Sequence, residues 1–420
     1  MMKRGHRNWL VWSMSLSVMF SAGTRVDAQS LTWLGTLPDG TSSGASGVSA
    51  DGAVVVGTAV NSSGLPRAFR WTASGGMQDL GTLQGFYDSS YASGVSADGA
   101  VVVGWASHSS QYFWYSAFRW ENGGMQNLGT LQGYNVSSAS GVSADGAVVV
   151  GVADNVNYQS RAFRWTASGG MQNLGTLGGN RSQARSVSAD GSVVVGWSNN
   201  ASGYGRAFRW ENGGMQDLGT LGGNSSEAHG VSADGSVVVG EARNASGQRL
   251  AFRWTASGGM QDLGTLPGYN ESYASGVSSD GSVVVGMAYN TTPYFWYHAF
   301  RWTASGGMED LNSTYASLLT NGSELLNASA ISPDGRYIVG RGLNGATGRE
   351  EAYLLDTGPR CISHNGDADN NGCVDDADLL QVLFAFGQSG NALGRVDVNC
   401  DGTVDDADLL QVLFNFGSGC

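Results

Sequence analysis

The residues best suited to chemistry lie near the C-terminus, where two twelve-residue loops run from Asp367 to Asp378 and from Asp397 to Asp408. Oxygen-bearing side chains stand at positions one, three, five and twelve of each: Asp367, Asp369, Asn371 and Asp378, then Asp397, Asn399, Asp401 and Asp408. Alternate residues turn their oxygens inward, glycine at position six (Gly372, Gly402) allows the sharp bend, and the carbonyl of Cys373 or Thr403 completes the set. That is the ligand pattern of a calcium loop, so two bound calcium ions are expected. Each loop runs into a near-identical apolar helical segment, Leu379–Phe384 and Leu409–Phe414.

Two further groups can do chemistry. Aromatic runs at Tyr112, Phe113, Trp114 and Tyr115 and at Tyr294, Phe295, Trp296 and Tyr297 offer flat faces that stack on sugar rings or anchor a protein; the alternative is that they fold back over a sheet edge. Arg181, Arg185, Glu227, His229, Glu241 and Arg243 form a charged group in which His229, with Glu227 and Arg185, is the weak candidate for acid–base work, such as proton abstraction from a uronic acid. A merely polar channel rim is the alternative, because no nucleophile motif accompanies them.

What must position these side chains is a repeat. Aspartate followed by glycine in GVSADG or a close variant recurs at Asp51, Asp98, Asp145, Asp190, Asp234, Asp280 and Asp334, at intervals of 44 to 54 residues. These intervals match four-stranded propeller blades. In the fourth copy four strand-like runs are expected, Ala184–Ala189, Ser192–Gly196, Arg206–Trp210 and Met215–Leu221, joined by Asp-Gly and Gly-Gly turns. The MQDLGTL motif of the fourth run occurs only six times, and Leu31–Leu37 supplies a seventh copy at the other end of the chain. A seven-bladed all-β propeller closed by this N-terminal strand is therefore expected, with a β-sandwich array as the alternative. The arginines of the repeated AFRW string (Arg70, Arg119, Arg164, Arg209, Arg253, Arg301) read as structural. Where other copies carry Ser93, Ser140 or Ser275, copies four and five carry Arg185 and His229, which would approach the channel mouth.

The strings GVSADG, VVVG, AFRW and GGMQDLGTL resemble the HAF family of extracellular repeats over about residues 31–356. The duplicated loop-plus-helix pattern resembles type I dockerin domains, which are EF-hand-like. This second resemblance implies a small α-helical module that folds on calcium and docks to a cohesin-like protein module.

Composition is consistent with export. Lys3, Arg4 and Arg7 precede an apolar stretch from Trp9 to Phe20 and a small-residue site at Val26-Asp27-Ala28, the pattern of a signal peptide over residues 1–28. No later stretch is apolar enough to span a membrane. The formal charge of −13 excludes nucleic acid as a natural partner. The 65 glycines follow no three-residue period, which excludes collagen and points to turn-rich β structure. Cys361, Cys373, Cys400 and Cys420 all lie in the last 60 residues and suit disulfides; of the three possible pairings, Cys361–Cys420 with Cys373–Cys400 is expected.

The organisation expected is therefore a signal peptide (1–28), a β-propeller of HAF-type repeats (29–356), a linker (357–364) and a dockerin-like domain (365–420). The function expected is that of an extracellular or cell-surface binding protein, its loop face taking a ligand such as a polysaccharide and its calcium module docking to a protein. A polysaccharide lyase or glycoside hydrolase on the same scaffold, and a structural cell-surface protein, are the alternatives.

Overall fold

The computed structural model describes residues 29–420 except Phe86, 109–113, 292–295, 359–364, Asn370, Gly372, 389–392 and 400–402. The expected signal peptide lies outside the described residues, as does most of the expected linker. Among the described residues no helix is long and apolar enough to cross a membrane.

Each sequence repeat folds as an antiparallel meander of four strands. In the fourth these are Gly178–Val187, Val194–Asn200, Gly205–Glu211 and Gly214–Asp217. The Asp-Gly turn between the first two strands is built the same way each time. In repeat one Ser49 donates its hydroxyl to Asp51 at 2.6 Å, Asp51 accepts from the Ala53 amide at 3.0 Å, and the Val54 amide donates to Ser49 Oγ at 2.9 Å. Gly99 of the equivalent turn in repeat two has φ +71°, and a Cβ there would sit 2.5 Å from Val54, so only glycine fits against the preceding repeat.

Neighbouring repeats are joined by two recurring bonds. The Ala50 amide donates to Ala97 O, Ala97 to Ala144 O, and so on through Ala189, Ala233 and Ser279 to Pro333 O. The AFRW arginines do the same from the outer side: Arg70, Arg119, Arg164, Arg209 and Arg253 each donate through Nε to the carbonyl of the next repeat's turn glycine at 3.0–3.3 Å. Between sheets lie apolar layers. Val54, Val56 and Ala68 of repeat one meet Val102, Phe118 and Trp120 of repeat two. The phenylalanines Phe69, Phe118, Phe163, Phe208, Phe252 and Phe300 are fully buried.

The N-terminal strand Ser30–Trp33 pairs antiparallel with Arg349–Asp356, Leu31 opposite Leu355, and so supplies the fourth strand of the last sheet. The expected closed ring of seven separate blades is nevertheless corrected. Strand pairing gives five four-stranded sheets and one eight-stranded sheet, the latter fusing repeats three and four. The fusion rests on one parallel bridge, from Arg181 to Ser160 of repeat three; the first strand of repeat five is also ten residues long but stays in its own sheet. The fold is β-propeller-like, with 51% of the described residues in strands, and among them no closed propeller is found.

A second correction concerns the C-terminal segment. Its helices are Asp376–Ala385 and Asp406–Phe414 with a short 3-10 turn at Gly394–Val396. With 8% of the described residues helical, these are too few for the expected dockerin domain. The expected cysteine pairing also fails, because Cys373 is bonded to Cys420; Cys361 and Cys400 lie outside the described residues. The long interval before Asp334 is explained by an unanticipated helical insert, Leu311–Thr314 and Ala316–Leu318, which buries Leu311 and Tyr315 in the last apolar layer.

Candidate functional site

The first strands of all seven repeats line one central cavity of about 280 Å³. At one level it is ringed by Ser46, Ser93, Ser140, Ser275 and Ser329, with Arg185 and His229 in the remaining two places, as the sequence comparison anticipated. Alternation along Gly222–Val231 buries Ser226, Ala228 and Gly230 and turns Ser225, Glu227 and His229 to the open side. The bulges between Ala184 and Ser186 and between Ala228 and Gly230 set where the last of these side chains point.

Above this level the charges are paired. Arg185 Nε donates to Glu227 Oε1 at 2.8 Å, and Arg249 Nη1 to Glu241 Oε1 at 2.9 Å. Glu227 and Glu241 stand directly opposite each other on neighbouring strands, and ligand atoms of Glu227, His229 and Glu241 lie within 4.8 Å of one another. Two carboxylates in cross-strand register repel, so the two arginines offset a local cost that the other repeats do not carry. Burial pushes the Glu241 carboxyl up to about 7; Arg249 opposes this and Glu227 and Glu271 add to it. Burial likewise pulls the His229 imidazole down to about 4, against the pull of Glu227 and with help from Arg185 and Arg249.

Beside this group a second hollow of about 260 Å³ opens between repeats four and five. Glu227, Glu241, Arg243 and Arg249 line it, facing Trp197. Trp197 is fixed by a bond from Nε1 to Gln183 Oε1 at 3.2 Å, and the Arg181 guanidinium lies 5.8 Å from its ring centre. Arg243 donates to the Gly247 carbonyl at 2.6 Å. Trp197 and Arg249 were not singled out from sequence, yet for Trp197 a signal existed. The residue opposite the Ala of each Ala-Phe pair, just after the constant VVVG, reads Thr58, Trp105, Val152, Trp197, Glu241, Met287 and Arg341. One hypervariable position sits inside an otherwise constant strand.

The two aromatic runs have different fates. Tyr115 turns inward, donating to Asp154 Oδ2 at 2.8 Å and meeting Trp105 edge-on at 6.1 Å; Trp105 in turn stacks on Tyr91 at 4.0 Å. Trp114 is 43% exposed. Trp296 is 60% exposed, and with Tyr297 it lines a hollow of about 230 Å³ at the junction of repeats six and seven. Tyr112 and Tyr294 lie outside the described residues.

In the C-terminal loops Asp367 and Asp378 are buried, Asp369 is exposed, and oxygens of the three lie within 4.8 Å of one another. Asp378 accepts from the Asp369 and Asp375 amides at 2.9 Å, and Asp408 repeats this with Asn399 and Asp405 at 3.0 and 2.9 Å. Asp375 and Asp405 cap the two helices. Asn371 Oδ1 accepts from the Cys373 amide at 2.8 Å, and the Thr403 backbone sits in an isolated bridge. Asp401 lies outside the described residues. An all-oxygen donor set with buried carboxylates fits a hard divalent cation such as calcium.

No family model and no curated protein matches the chain. Solved structures do. Oligogalacturonate lyase from Vibrio parahaemolyticus aligns with a TM-score of 0.52 at 11% identity, covering 80% of this chain and 94% of its own. TolB from Acinetobacter baumannii aligns with a TM-score of 0.42 at 12% identity over 73% of this chain, which spans 64% of TolB. A puromycin hydrolase aligns with a TM-score of 0.46 at 15% identity, over 78% of this chain and 51% of its own. The first likeness carries the fold alone.

Proposed function

We propose that this is an exported carbohydrate-binding protein whose propeller-like body holds a sugar in the hollow between repeats four and five, and whose C-terminal loops hold calcium. One observation carries the reading: in a scaffold of seven near-copies, the side chains that break the pattern converge. Arg185 and His229 line the central cavity, Trp197, Glu227, Glu241 and Arg249 line the hollow beside it, and the Arg185–Glu227 pair joins the two groups, which come from five strands of two repeats. The chemistry suits a pyranose, whose C–H face stacks on an indole while its hydroxyls bond to carboxylates and guanidinium groups. The loop carboxylates Asp367, Asp369 and Asp378, with Asp397 and Asp408, would hold calcium, which supplies the charge that lets buried carboxylates sit together.

Binding to an array of neutral and uronic oligosaccharides tests the reading. Trp197→Ala is expected to weaken the bound class about tenfold, the loss of one aromatic contact; equal binding by wild type and variant would overturn it. A second reading, a polysaccharide-active enzyme, is favoured by the neighbouring Glu241 and His229, held respectively near neutral and unprotonated, as an acid and a base require. The structural likeness to an oligogalacturonate lyase is compatible with it. Release of shortened products from a bound oligosaccharide, lost in His229→Ala, would establish that reading.

A further inference from the structure

The hollow between repeats four and five, taken here as the first, has a counterpart between repeats six and seven that resembles it in outline. Between repeats six and seven, Trp296, Tyr297 and His298 come from the earlier repeat and Glu324, Leu326 and Glu350 from the later one. The first hollow has the same composition in outline: Trp197 from repeat four, Glu227 and Glu241 from repeat five. In each, one tryptophan forms a wall and two glutamates of the next repeat form the opposite side. The second hollow is polar where it needs to be fixed. His298 Nδ1 is bonded to Asp310 Oδ2 at 2.8 Å and its ring lies 5.4 Å from Tyr269, while Glu350 is paired with Arg341 at 3.0 Å. Trp296, by contrast, keeps 60% of its surface in water, a large apolar exposure next to ordered acceptors. In repeat six Tyr289 donates to Glu271 Oε2 at 2.6 Å and meets Tyr273 edge-on.

We infer that the hollow at Trp296, His298, Glu324 and Glu350 is a second pyranose subsite, and that the natural ligand is an oligosaccharide long enough to occupy both hollows at once. This rests on the proposed sugar-binding reading of the first hollow. Two stacking walls joined by one ligand bind as a linked pair, so affinity rises with chain length without any new contact at either end.

Calorimetric titration of the whole protein with β-1,4-linked gluco-oligosaccharides of two to eight units, and with oligogalacturonides of the same lengths, tests it. In the bound series the longest member is expected to bind wild type about tenfold or more tighter than the dimer. Trp296→Ala is expected to erase that gain, Trp296→Phe to restore most of it, and Trp197→Ala to weaken every length. A length gain that survives Trp296→Ala, or a dimer as tight as the octamer in wild type, overturns the second subsite while leaving the first intact. Failure of both series to bind wild type overturns the first hollow's reading and this inference with it.

Discussion

Glu241 and His229 sit within 4.8 Å of each other, and burial shifts them in opposite senses with opposite effects on stability. Glu241 titrates near 7 in the folded chain against 4.5 for a free side chain, so the stability it contributes is present below about pH 4.5 and is lost as pH rises to about 7. His229 titrates near 4 against 6.5, so its contribution is present above about pH 6.5 and is lost as pH falls to about 4. Over the shared range the slopes oppose. Glu241→Gln should therefore leave a protein whose unfolding free energy rises with pH through that range. His229→Gln should leave one whose unfolding free energy falls, each by on the order of 2–3 kcal/mol in urea titrations at stepped pH. A flat profile in both variants would refute the assignment. Arg185 and His229 were legible because each replaces a serine at a repeated place, and Glu227 because it adds a charge beside them. Trp197 and Arg249 were not, since their importance depends on which neighbouring strand they face, and pairing register is not written in any one repeat.

The C-terminal loops show where local pattern and local structure part company. Of the carboxylates read from loop spacing, Asp367, Asp378, Asp397 and Asp408 are buried, and Asp375 and Asp405 cap the helices that start at Asp376 and Asp406. The disulfide was misjudged because it depends on a tail contact: Val374 N donates to Ser418 O at 3.0 Å and Gly417 N to Val374 O at 2.7 Å, which brings the Cα atoms of Cys373 and Cys420 to 4.6 Å. The second loop is tied by the corresponding bonds between Val404 and the residues after the first helix, Gly387 and Gln388. Calcium should add about 3–4 kcal/mol to this unit for each loop it occupies when the ion is in hundred- to thousandfold excess over its Kd. Chelation is then expected to abolish the helical dichroism of residues 365–420 and leave the β-sheet melting transition in place; an unchanged scan in chelator would count against calcium.

At the scale of the whole molecule the two ends of the β-rich body depend on each other. Leu34 and Leu37 follow the N-terminal strand into the same apolar layer as Ala45 and Phe69 of repeat one and Val339 and Ala352 of repeat seven. Deleting residues 29–37 should cost about 4–6 kcal/mol, from two buried leucines and the lost pairing of Ser30–Trp33, and should lower the melting point of the entire β-rich body. A second, separate transition confined to repeat seven would show that the repeats melt independently. The seven-copy pattern and the N-terminal replacement strand could be read from sequence because turns and strand residues recur. The fusion of repeats three and four could not, because it follows from one bridge, Ser160 to Arg181. The amide-to-carbonyl series that links the Asp-Gly turns has a direction, since each turn donates to the next and the last acceptor, Pro333, has no N–H to pass on. A copy gained or lost by unequal exchange within the series meets the same donor and acceptor on both sides. At Pro333 the series ends, and the junction of repeats seven and one is held instead by the layer that takes in Leu34 and Leu37.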